Sequence, residues 1–266
     1  MSTIGEPGRG HPGCKLYLAM LGVLQGACAG EVVVTEDPAQ HARAELGRMV
    51  REQELPGAQY LAVSADRTLL DVHIGVADVA TREPMRREML QMSYSVTKVV
   101  TAIAVMQLVD AGKLELEAPL SRYWPAHPYG TEVTIRSLLA HTSGVPNPMP
   151  LDWFTLEGEP FDGEASLRRV LSEHPERKSE VDAMYRYSNV GYWLLERAIE
   201  SASGEDYGRY VERHIFDPLE VSREVATFRV AAEQAQARGH ARRYAPMGLL
   251  LRLLTPGRYW EPSHRR

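Results

Sequence analysis

The sequence predicts an α+β fold, with a strand hairpin first and a long helical lobe after it. Three observations carry this. "AQYLAVSADRTLLDVHIGVAD" gives two strand-like runs rich in Val, Leu, Ile and Tyr around a polar turn at 65–68. The run from Val96 through Val99, Val100, Ile103, Ala104, Met106 and Leu108 to Val109 is apolar nearly all round before Gly112, which predicts a helix buried in the middle of a lobe. Two later segments, "NVGYWLLERAIESASG" and "DYGRYVERHIFDPL", keep helical spacing as far as Gly204 and Pro218. Strands followed by helices, rather than alternating with them, indicate an antiparallel sheet packed with a helical lobe.

In chain order, the Gly- and Pro-rich residues 1–15 lead into "LYLAMLGVLQGACAG", an apolar run too short to span a membrane that ends in small residues. It resembles a secretory signal cleaved after Ala29. A lipoprotein signal acylated at Cys28 fits less well, because Gln25 stands where a branched apolar residue is expected; an irregular N-terminus is the plain alternative. Residues 1–29 are therefore expected to be a signal or a disordered N-terminus, and 30–266 the folded domain. The location is extracytoplasmic (periplasmic, secreted or lipid-anchored) if the signal is real and cytoplasmic otherwise. Cys14 and Cys28 both lie in this segment, so disulfides and a cysteine-based metal site are not expected.

"HARAELGRMVREQEL", residues 41–55, has apolar positions at helical spacing and is stopped by Pro56. "TIRSLLAHTSGVPNP" reads as a short helix capped at Thr134 and ended by Gly144 and Pro146. The chain has 266 residues, 44% hydrophobic and 24% charged, enough for one large core or two fused lobes. Its net charge of -5, with acids and bases interspersed, argues against nucleic acid and for small molecules or other proteins as partners.

The candidate chemistry begins at "SYSVTK". A serine hydroxyl becomes a useful nucleophile only when a neighbour takes its proton, and a lysine can assist where burial or charge lowers its pKa. Ser95 and Lys98, at i and i+3, share a helix face, with Ser95 at the N-terminus, where free backbone N–H groups favour a developing oxyanion. On their own the two are equally an ordinary helix start and an exposed lysine. "YRYSNVGY" adds Tyr187 and Asn189, two apart and therefore on one side of an extended turn. Tyr187 is a candidate base toward Ser95, and Asn189 a candidate partner for Lys98 and a substrate carbonyl. The alternatives are a core tyrosine and an N-capping asparagine.

The hairpin, "SYSVTK", "DAGKLELEAPLSRYWP", "TIRSLLAHTSGV", "YRYSNVGYWLLERAIESASG" and "HIFDPLEV" follow one another in the order and spacing of the serine β-lactamase and penicillin-binding superfamily, and most resemble its class C β-lactamase, D-alanyl-D-alanine carboxypeptidase and esterase branch. The resemblance runs from about residue 42 to about 245. It implies a β-lactamase/transpeptidase-like fold in which Ser95 is the acylated nucleophile, Lys98 its activating partner, and Tyr187 with Asn189 the second catalytic element. It implies small esters, β-lactams or D-alanyl peptides as substrates, with no metal or organic cofactor. His141, in "HTSG", is expected to be a hydrogen-bonded scaffold residue rather than a triad histidine. No GxSxG elbow occurs in the sequence.

The resemblance also implies a third motif, Lys-Thr-Gly or a His- or Arg-x-Gly variant, on a late strand. No lysine follows Lys178, and no triplet ending in Gly beyond residue 200 begins with a basic residue. With that strand goes half of the oxyanion hole, where one lost donor costs about 2.7 to 4 kcal/mol of transition-state stabilisation. The sequence therefore predicts a domain incomplete at the C-terminus, with its last sheet strands missing. The alternative function is a catalytically impaired remnant or a binding or scaffold protein. Smaller departures are Asp182 and Ala183, where the family often has Pro-Gly, and Glu220, where it has Gly.

Overall fold

The structure is a computed structural model that describes residues 37–52, 55–148, 162–228 and 235–239. The candidate signal at 1–29, with Cys14 and Cys28, and the segment from 240 onward lie outside these residues. The chain divides into two compact units. One takes residues up to Leu55 together with Tyr60–Val72, the other Pro56–Gln59 and everything from His73.

In the first unit helix α1, Pro38–Arg51, starts where Pro38 occupies the first turn and the Asp37 carboxylate accepts from the Ala39 N–H at 3.0 Å. Arg48 and Arg51 close its last turn, where cations suit the helix dipole, and Arg48 pairs with Glu45 and Glu52. The predicted helix at 41–55 thus starts and stops earlier, because Asp-Pro supplies a better start than the spacing of apolar residues indicated. The hairpin turn closes with Ser64 N–H donating to the Arg67 carbonyl at 2.8 Å, while the Ser64 hydroxyl reaches the Asp66 carboxylate.

The sheet has the order β1 (Gly57–Val63), β2 (Thr68–Asp78), β3 (Glu83–Pro84). β3 runs antiparallel to β2 with a bulge between Val76 and Asp78. At the hairpin base the backbones nearly touch. A Cβ on Gly57 would lie 2.4 Å from the Val76 carbonyl, and one on Gly75, at φ +78°, 2.3 Å from that of Pro56. Residues 235–239 contact β2 and the segment after β3. Leu90 bridges Gln236 in parallel, and the Arg238 N–H donates to the Ala77 carbonyl at 2.9 Å. No alternation marked residues 235–239 as a pairing segment.

The main core belongs to the second unit. It is built by α2 (Thr97–Asp110), α3 (Ile135–Leu139), α4 (Gly163–Glu173), α5 (Asn189–Ser203) and α6 (Tyr207–Val211). Thr134 and Ser137 form a reciprocal capping box at the start of α3. Helix α4, absent from the sequence reading, starts at Asp162, whose side chain accepts from the Ala165 N–H. Helix α5 is capped by Ser188, not by Asn189, which is its first residue; it ends at left-handed Gly204. Its buried face, Val190, Leu194, Leu195, Ala198 and Ile199, packs on α2 and α6. The helix predicted from residue 206 to Pro218 is broken into α6, a wide π turn at Glu212–Phe216 and a 3₁₀ turn at Asp217–Leu219. There the Gln107 amide donates to the His214 carbonyl at 3.0 Å.

Helix α2 corrects a further expectation. Thr101, Ala104, Val105 and Leu108 are buried, but Val96, Val99, Ile103 and Met106 on the other side are exposed. An all-round apolar pattern records what the helix is made of, not what covers it.

Candidate active site

Ser95 lies in a 3₁₀ turn, Tyr94–Val96, that runs directly into α2, and it is exposed. The turn is locked by the Val96 N–H on the Ser93 carbonyl and by a 2.9 Å contact between the Ser93 and Thr97 hydroxyls. Tyr94 sits at φ +42°, a costly conformation for an aromatic residue. Lys98, in the first turn of α2, is half-buried and shares the face of Ser95.

Tyr187 and Ser188 lead into α5, with Ser188 extended and Asn189 the first helical residue. The Tyr187 hydroxyl is 2.6 Å from Ser95 Oγ. Lys98 Nζ donates to Asn189 Oδ1 at 2.8 Å, lies 3.5 Å from Ser95 Oγ, and stands 4.9 Å and 5.4 Å from the ring centres of Tyr187 and Tyr192. The four residues singled out in the sequence are thus brought into one hydrogen-bonded cluster. Burial raises the Tyr187 phenol, but hydrogen bonds with Lys98 and Ser95 and the Lys98 charge outweigh it and leave the phenol below its ordinary pKa. That is the direction a proton acceptor requires.

The lead is fixed from behind by the loop that follows α3. Ser188 is 1% exposed. Its hydroxyl donates to the Pro146 carbonyl at 2.9 Å and accepts from the Gly191 N–H at 3.0 Å. Its own N–H donates to His141 Nδ1 at 3.2 Å, and the Asn189 N–H donates to Asn147 Oδ1 at 2.9 Å. The Arg186 N–H reaches the His141 carbonyl at 2.7 Å. The His141 ring packs against those of Tyr187, Tyr192 and Tyr185 at 4.6, 5.0 and 5.7 Å. Gly144, at φ +72°, could carry no Cβ, which would fall 2.2 Å from the Ser179 carbonyl.

Asp182 takes φ +60°, and its turn is tied to the loop after α3: Thr142 Oγ1 donates to its carboxylate at 2.5 Å, and its N–H donates to the Thr142 carbonyl at 2.9 Å. Tyr192 and Asn147 were not found from sequence. Tyr192 is one helical turn beyond Asn189, a spacing that places both on one face; Asn147 carried no signal beyond its turn composition. Among the described residues no group of three or more His, Cys, Asp or Glu is placed to hold a metal. No helix among them is long and apolar enough to cross a membrane. An open groove of about 650 Å³ at 128–132 and 175–180 includes none of the four clustered residues.

The family model described as beta-lactamase matches residues 39–259. The chain is 32% identical over 161 residues to penicillin-binding protein 4* of Bacillus subtilis, covering 59% of this chain and 35% of that protein. It is 31% identical over 192 residues to esterase EstB of Burkholderia gladioli, covering 64% of this chain and 47% of that protein. Among solved structures, the D-amino acid amidase of Ochrobactrum anthropi SV3 complexed with D-phenylalanine is similar with a TM-score of 0.65 and 25% identity, over 79% of this chain and 59% of that one. The chain therefore spans about half or less of the length of these curated relatives. The fold is α+β, with helices and a small antiparallel sheet, as in the beta-lactamase-like structures it resembles, and the chain belongs to the beta-lactamase family.

Proposed function

We propose that the protein is a serine-dependent acyl hydrolase that opens small esters, β-lactams or D-alanyl peptides through an acyl-enzyme. The observation that carries this reading is the pair of contacts that joins two sequence-distant motifs: Ser95 Oγ to the Tyr187 hydroxyl, and Lys98 Nζ to Asn189 Oδ1. Tyr187, as phenolate beside the Lys98 ammonium, takes the Ser95 proton while Oγ bonds to the substrate carbonyl carbon. The carbonyl electron pair moves to oxygen, and the tetrahedral species collapses as the leaving group departs with the proton from Tyr187. Water then enters, gives a proton to Tyr187 and attacks the acyl carbon, and the second tetrahedral species collapses as Tyr187 returns that proton to the departing Ser95 Oγ, which frees the acid and restores the phenolate. Lys98 supplies positive charge throughout, and Asn189 holds it in place.

The kinds of relatives found, penicillin-binding proteins, an esterase and an amidase, support a carbonyl substrate of this class. A fluorescent penicillin or a fluorophosphonate, followed by intact mass, tests it: one adduct on Ser95, lost in Ser95→Ala, is expected. The alternative reading is binding without turnover. A nitrophenyl ester separates the two, because one equivalent of product followed by a stall supports binding and continued release supports hydrolysis.

A further inference from the structure

His141 has more to do with the site than packing accounts for. It is buried, lies at φ +58°, and places its ring directly against Tyr187 while its Nδ1 accepts the N–H of Ser188, the residue between Tyr187 and Asn189. A nitrogen that accepts a hydrogen bond carries no proton. The ring that fits here is therefore the neutral tautomer with its proton on Nε2.

The groups that face the ring are Lys98 on α2, Tyr185 and Tyr187 in the lead, and Tyr192 on α5. None is a carboxylate, and the one group of that set that can be an anion, the Tyr187 phenol, has the Lys98 ammonium 4.9 Å from its ring centre to offset its charge. Burial and the Lys98 charge both hold the imidazole below its ordinary pKa. Were His141 to gain a proton on Nδ1, two N–H groups would point at each other across the Ser188 contact, and the turn that presents Tyr187 and Asn189 would have to move.

We propose that His141 is a positioning residue whose neutral imidazole fixes the Tyr187–Asn189 turn, so that the site is assembled only while His141 is unprotonated. Tyr187 would then be lost in acid through displacement of its turn. The kinetic arm of this proposal rests on the hydrolase reading above; the spectroscopic arm does not.

The experiment follows the whole chain through an acid titration by ¹⁵N NMR. In the wild type His141 is expected as the Nε2–H tautomer near neutral pH. As it protonates, the Ser188 amide should exchange at least about tenfold faster and the Tyr187 ring signals should shift in step with it. His141→Asn keeps an acceptor near Nδ1, tolerates the left-handed backbone and does not titrate. It should hold Ser188 protection at acid pH and move the acid limb of Ser95 acylation to lower pH. His141→Phe keeps a ring but no acceptor and should expose the Ser188 amide at every pH.

A protonated Nδ1 in the neutral wild type, or Ser188 and Tyr187 signals indifferent to the His141 titration, overturns the proposal, as does an unchanged acid limb in His141→Asn. If Ser95 takes no acyl group at all, the hydrolase reading fails separately, and the tautomer and amide measurements on the wild type still decide the role of His141.

Discussion

The two sides of the candidate site are held in opposite ways. Ser188, the middle of the Tyr187–Asn189 lead, is buried and bonded through both its hydroxyl and its N–H to a loop more than forty residues earlier. Ser95 sits in an exposed 3₁₀ turn that includes the strained Tyr94, and the backbone and hydroxyl contacts that hold this turn, Val96 to Ser93 and Ser93 to Thr97, are local. One side is part of the core and the other is laid on its surface. The same kind of substitution should therefore act on stability in one and on chemistry in the other.

The largest effect is expected where the clamp is tightest. Gly144→Ala places a Cβ against the Ser179 carbonyl at a left-handed position, and should cost about 3 kcal/mol in denaturant melts. Ser188→Ala removes the α5 cap and strands the Pro146 carbonyl; a loss of about 2 kcal/mol is expected. Ser95→Ala, in contrast, should leave the melt within about 0.5 kcal/mol of wild type while abolishing acylation. Equal losses for Ser188→Ala and Ser95→Ala would erase the distinction.

Tyr187→Phe lies at the join. Acylation should fall by about 10² to 10⁴-fold with only a small change in stability, because the ring contacts to His141 and Lys98 remain. The pH dependence should also separate the two sides. A buried imidazole with a depressed pKa contributes stability that is complete above the ordinary His value, about 6.5, and is lost as pH falls toward the lower folded value. The wild type should thus lose more stability than His141→Asn between about pH 7.5 and pH 5, seen as converging melting temperatures. The smallest effect is expected far from the site. Glu220, at φ +56° where the family has Gly, should gain about 0.5 kcal/mol or less as Glu220→Gly.

What could be read in the sequence follows from the range of each interaction. The Ser95–Lys98 pairing is local, fixed by helical spacing, and so are the Thr134 cap and the Gly204 stop. Tyr187 and Asn189 could be matched to Ser95 and Lys98 only through resemblance, because ninety residues separate the motifs and spacing alone left both as ordinary core and cap residues. Residue type leaves the cap open, since Asn and Ser serve equally well at that position, and the Ser188 bonds to Pro146 and His141 that decide it are not local. The exposed face of α2, the π turn before Asp217 and the pairing of 235–239 with Leu90 and Ala77 escaped for the same reason: each depends on what lies beside it. Glu220 stands where the resemblance implies Gly, and its left-handed backbone is one that Gly adopts without strain.

The central claim is that Ser95, placed against Tyr187 and Lys98, is a working nucleophile. Intact-mass spectrometry after incubation with a fluorophosphonate, followed by peptide mapping, measures this directly. A single adduct on Ser95, absent from Ser95→Ala and strongly slowed in Tyr187→Phe, is the predicted result. A folded chain that remains unlabelled, or one labelled equally in Ser95→Ala, would contradict it.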